Sequence, residues 1–145
     1  MSESSKPLGH ADFSGFAMQQ RALKGDNVYA INVDQIIWNK SVGEFYVFEY
    51  QKCEKTQTVT PWTSHPNRYW AKCHRKYESL WRIKQKLEGV LFVINYAEEG
   101  SPHDDKFRVI EVADISAAGI RDRSVTNMTA DIFSRWFRDM NGKGR

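Results

Sequence analysis

The sequence predicts an α/β protein with a mixed central β-sheet flanked by helices, and three observations point there. Two neighbouring runs, residues 28–38 and 44–51, are dense in β-branched and aromatic residues on either side of a Ser41-Val42-Gly43 turn. Residues 90–96 form a near-continuous apolar run of the kind that is covered on both faces. Around these runs, apolar side chains recur every three or four positions over 13–24, 67–88 and 129–140, the period of helices packed along one stripe.

Taken in order, residues 1–11 lack the apolar centre of a secretion signal and read as a flexible tail. Asp12 can cap a helix over 13–24, with Phe13, Phe16, Ala17, Gln20 and Leu23 on one stripe and Gly25 ending it. A hairpin then occupies 28–53. Side chains alternate along a strand, so Glu49 and Gln51 share a face, and Asp34 shares the face of Asn32 and Ile36 on its own strand. Residues 54–66, rich in Thr and Pro, read as a surface loop. The helix over 67–88 carries Trp70, Cys73, Tyr77, Leu80, Trp81, Lys84 and Leu87 along one side, with Gly89 as its stop. The buried strand at 90–96 is followed by a turn at 98–105, a strand at 107–112 and an amphipathic helix at 129–140. That last helix gathers Ile132, Phe133, Trp136, Phe137 and Met140 on one side. Residues 12–140 make a single domain, and 141–145 a flexible basic end.

Composition narrows the function classes. The chain has 145 residues, 41% of them hydrophobic, with 5 Trp, 6 Tyr and 8 Phe, the profile of a folded globular domain. No apolar run approaches about 18 residues, so neither a transmembrane span nor a membrane partner is expected, and residence is read as cytoplasmic. Cys53 and Cys73 are too few for a disulfide scaffold and read as reduced thiols. Neither Ser/His/Asp nucleophilic spacing nor a glycine-rich phosphate loop occurs.

The residues that carry chemistry are Asp34 and, fifteen positions on, Glu49-Tyr50-Gln51-Lys52. Carboxylates in such apolar company are costly and call for a partner. Mg²⁺ (or Mn²⁺) is a hard cation that one or two carboxylates, waters and a substrate phosphate satisfy; Asp34, Glu49 and the Tyr50 carbonyl are the candidate ligands. Such a cation activates water and neutralises charge on a phosphodiester, and Gln51 would position the attacking water. Asp34, Glu49 and Gln51 are thus the candidate catalytic residues.

Charge supports a nucleic-acid partner. Over residues 68–88, seven cations (Arg68, Lys72, Arg75, Lys76, Arg82, Lys84, Lys86) against two anions (Glu78, Glu88) leave a local charge of +5, whereas the whole chain carries +3. Arg68, Lys72, Arg75 and Lys76, in the first half of this helix, are the expected phosphate contacts. Trp62, in the polar loop after the Glu49 strand, is the aromatic placed to touch substrate.

Asp34 with Glu49-x-Gln51 resembles the signature of the PD-(D/E)XK, or restriction-endonuclease-like, nucleases: an Asp on one strand and Glu-x-Lys on the next. The resemblance covers roughly residues 12–112. Gln51 stands where lysine is usual, a form found in some restriction enzymes, and Val33 precedes Asp34 where proline is usual. A lysine from the following helix is an alternative source of the missing cation. The first helix offers Gln19 and Gln20 where an acid is common. The nuclease core runs helix, three strands, helix, strand, so this chain reads as one strand short before Asp34. The resemblance implies a restriction-endonuclease-like fold, Mg²⁺-dependent hydrolysis of DNA rather than RNA, and a homodimer as one arrangement. Two other readings stand beside it: a non-catalytic nucleic-acid-binding module, and a phage or mobile-element interaction protein whose apolar terminal helix docks on a partner.

Overall fold

The computed structural model describes residues 13–142, in the order α1 (Ser14–Leu23), β1 (Gln35–Asn39), β2 (Glu44–Cys53), a 3-10 turn (Pro66–Tyr69), α2 (Trp70–Leu87), β3 (Val90–Ala97), β4 (Lys106–Ser116), β5 (Gly119–Thr129) and α3 (Ala130–Met140). The expected Asp12 cap, the N-terminal tail and residues 143–145 lie outside the described residues. The chain divides into two compact units, Met1–Ala30 and Ile31–Arg145. The first contains α1, which ends with Lys24 in the left-handed conformation.

The second unit is a five-stranded mixed sheet in the order β1-β2-β3-β4-β5. Only β2 and β3 are parallel; β1, β4 and β5 each pair antiparallel with their neighbours. A parallel pair needs a long crossover, and residues 54–65, the 3-10 turn and α2 supply it. This crossover lays α2 over one face of the sheet, where Tyr77 and Leu80 pack among Val47, Leu91, Val93, Ile110, Val112 and Ile120. Helix α3 covers the other face: Phe133, Trp136, Phe137 and Met140 pack on Tyr46, Phe48, Phe92 and Ile94. Phe133 lies parallel to Phe107, centroids 4.2 Å apart. The apolar stripe of the terminal helix is therefore engaged by the protein's own sheet. The predicted mixed sheet between helices is what forms.

Three expectations are corrected. The first strand begins at Gln35 rather than 28, and Asp34 occupies a bend just before it. The reason is local: the Asp34 carboxylate itself takes the Tyr50 N–H, so the β1–β2 ladder stops at the Gln35–Phe48 pair. As expected, the chain is one strand short before Asp34: among the described residues no strand precedes β1, and residues 56–60 do not pair. Gly89 is not the left-handed stop of α2. Glu88 takes that conformation, with φ 53°, and Gly89 is small because a Cβ there would press into the Phe45 carbonyl. Finally, β4 extends to Ser116 and pairs with a strand, β5, that the sequence pattern does not announce. Among the described residues, no helix is long and apolar enough to cross a membrane.

Candidate active site

Alternation along β2 decides which side chains meet. Tyr46, Phe48 and Tyr50 face α3, while Val47, Glu49 and Gln51 face α2. Helix α2 places Lys76 over Glu49 and Tyr77 over Gln51, consecutive helix residues meeting alternate strand residues. The Lys76 Nζ lies 2.7 Å from Glu49 Oε1, on a carboxylate whose side chain is only 6% exposed. Burial pushes the Glu49 carboxyl above its ordinary range; the Lys76 hydrogen bond and charge pull it back down, and the neighbouring Asp34 carboxylate pushes it further up. The net direction is upward.

Asp34 comes to the same place from the end of β1. Its Oδ2 accepts the Tyr50 N–H at 2.8 Å. The carbonyl and N–H of a strand residue point to the same edge, so the Tyr50 carbonyl also faces the gap beyond the last β1 pair. The Tyr50 ring lies on the α3 side, where its hydroxyl donates to Gln35 Oε1 at 2.5 Å. Burial, then the charge of Asp34, push that phenol up to about 12, so it remains a neutral donor.

Gln51 is held by Tyr77, whose hydroxyl donates to Gln51 Oε1 at 2.7 Å. Tyr77 is fully buried and stacks on Trp70, centroids 6.1 Å apart. Its phenol is raised by burial first and then by Glu49, Cys73 and Asp34, which secures it as the donor. With its oxygen occupied, Gln51 has its NH₂ left to offer.

The expected phosphate contacts separate into two groups. All four are exposed, but Lys76 reaches the Glu49 carboxylate, whereas Arg68, Lys72 and Arg75 form no ion pair among the described residues. The Arg68 guanidinium lies 6.0 Å from the centroid of the Tyr69 ring. Trp62 is placed structurally: its half-buried indole donates to the Phe107 and Met128 carbonyls at 3.0 and 3.3 Å. Arg108 donates to the Trp62 and Ser64 carbonyls, and buried Asn95 to those of Pro61 and Ser64. The loop after β2 is thereby fastened to β3, β4 and β5. The sequence places Tyr77 on a core stripe but gives no sign of its bond to Gln51, and Asn95 and Arg108 carry no signal beyond lying in or beside apolar strands.

Whether this set fits a hard cation follows from its donors. Among the described residues no group of three or more His, Cys, Asp and Glu side chains is placed to hold a metal ion. Two carboxylates and a backbone carbonyl beyond the last β1–β2 pair are present, and Mg²⁺ is ordinarily held by that few protein ligands, with water and substrate phosphate completing the shell. The residues fit that mode of binding. The chain matches no family model, and comparison with curated proteins and with solved structures gives no match.

Proposed function

We propose that the protein is a Mg²⁺-dependent nuclease hydrolysing phosphodiester bonds of DNA, on a restriction-endonuclease-like plan. The observation that carries the reading is the Lys76–Glu49 contact at 2.7 Å. It supplies, from the helix after β2, the ammonium that the Glu-x-Lys pattern would place at position 51. A cation, acid pair and amide then share one edge of the sheet. Asp34, Glu49 and the Tyr50 carbonyl would hold Mg²⁺ or Mn²⁺, whose chemistry is to activate water and neutralise phosphate charge. Lys76 meets the negative charge that develops on the phosphoryl oxygens, where a fixed cation in a part-buried site is most effective. The Gln51 NH₂, oriented by Tyr77, donates to a phosphate or water oxygen. Arg68, Lys72 and Arg75 hold the backbone farther out.

Cleavage of labelled single- and double-stranded DNA and RNA, with Mg²⁺, Mn²⁺ or chelator, tests the proposal. The wild type should cut DNA only with a divalent cation, and Asp34→Ala and Glu49→Ala should not cut at all. Metal-dependent cleavage retained by both variants would remove them from the mechanism. One feature favours a second reading, the non-catalytic binding module: Lys76 already neutralises Glu49 without a metal. Binding of nucleic acid with no metal-dependent product would select it.

A further inference from the structure

Beside the site, on the α2 face, a cleft of about 220 Å³ opens between the end of β2, the fastened loop and the start of α2; Gln51, Gln57, Ser64, His65 and Tyr69 are among its walls. Gln51 belongs to both places. It stands two residues from Glu49, about 6.6 Å along the strand, comparable to the spacing of successive phosphates on an extended chain. The cleft admits one nucleobase and part of its sugar and is too small for a base pair.

Its walls suit an unpaired base. Gln51 Oε1 is taken by the Tyr77 hydroxyl and Gln57 Oε1 by the Glu54 N–H at 2.9 Å, so both amides have NH₂ groups to offer a base edge of acceptors. His65 is not available for catalysis: its Nδ1 accepts the Asn67 N–H at 3.0 Å, which leaves Nε2 protonated and donating to Asp122 at 2.8 Å. It is a rigid wall. Tyr69, 38% exposed, adds an aromatic ring at the rim, with Arg68 beside it.

We propose that this cleft receives the unpaired nucleotide adjoining the scissile phosphate, its base stacked on Tyr69 and read by the amide of Gln57 and by the second N–H of Gln51, whose first N–H serves the phosphate or water. The substrate is then single-stranded or frayed DNA in preference to intact duplex, because a paired base must first be unstacked and extruded to enter. The assignment of the adjoining phosphate as scissile rests on the nuclease reading; occupancy of the cleft by a base does not.

The test is binding without metal, by fluorescence anisotropy, of a labelled oligothymidylate of about 15 nucleotides and of its duplex with oligodeoxyadenylate. The single strand should bind more tightly. Tyr69→Ala should weaken single-strand binding about tenfold and leave the duplex unchanged, with Tyr69→Phe restoring wild-type affinity. Gln57→Ala should weaken the single strand in the same selective way. Equal loss on both probes, no loss on either, absence of binding to both, or failure of Tyr69→Phe to restore affinity would overturn the proposal. Selective, Tyr69-dependent binding by a protein that cuts nothing would sink the nuclease reading alone. Metal-dependent cleavage of duplex as fast as single strand, indifferent to Tyr69, would sink this one alone.

Discussion

Lys76 on α2 and Glu49 on β2 form a 2.7 Å ion pair across the layer between helix and sheet, and Tyr77 repeats the bridge one residue on by donating to Gln51. The two contacts make the helix part of the site rather than a cover over it, and the consequences can be measured.

Lys76→Gln removes the only cation touching Glu49 among the described residues and should lower any metal-dependent cleavage by about 10²–10³-fold. The double variant Gln51→Lys/Lys76→Gln returns the ammonium to the strand, in the usual Glu-x-Lys form, and should recover much of that loss. Gln51→Lys alone sets a second cation close to Lys76 and takes the acceptor from Tyr77, so it should not raise activity. Cleavage rates of the three variants check this; no recovery in the double variant would separate Lys76 from the Lys role.

Glu49 ties stability to pH. Burial, with Asp34 adding to it, holds its carboxyl above the ordinary 4.5 in spite of Lys76, so the folded protein binds that proton more tightly than the unfolded chain. Stability from this group is complete below 4.5 and declines as pH rises through the folded-state value. Glu49→Gln abolishes the titration. In thermal melts without divalent cations, its midpoint should match wild type at about pH 4 and exceed it at about pH 8. A pH-independent offset would show that Glu49 does not carry the linkage.

The exposed cations that form no ion pair should act on affinity alone. Neutralising Arg68, Lys72 and Arg75 together should flatten the plot of log K against log salt by roughly 2.7 on duplex DNA and about 2 on a single strand, since each phosphate contact contributes about 0.9 or 0.7. Turnover at saturating DNA should be unchanged. An unaltered slope would return these residues to the solvated surface.

At the end of α2, Glu88 bears the left-handed conformation and Gly89 the close approach to Phe45. Glu88→Gly should therefore stabilise the protein by up to about 1 kcal/mol. Gly89→Ala should destabilise it by about 1–3 kcal/mol through overpacking against backbone. Denaturant melts of both variants give the comparison, and the opposite signs are the diagnostic result.

Much of this was determined by sequence alone, and the reason is burial. Strands β2 and β3 and helices α2 and α3 each spend a row of apolar side chains on the core, so their periods of two and 3.6 are written in residue type. Strand parity likewise put Glu49 and Gln51 on one face before any fold was known. Strand β5 was illegible because it is mostly exposed and held by its ladder to β4, so no alternating row of buried apolar side chains marks it. Only the tertiary structure decided that Asp34 leaves the strand to cap Tyr50, that Lys76 rather than Lys52 reaches Glu49, and that Trp62 pins a loop. Those contacts join residues far apart in the chain across the β2–α2–β3 crossover and its neighbours. Their geometry follows from how the helix lies on the sheet, a quantity that no local pattern of residues encodes.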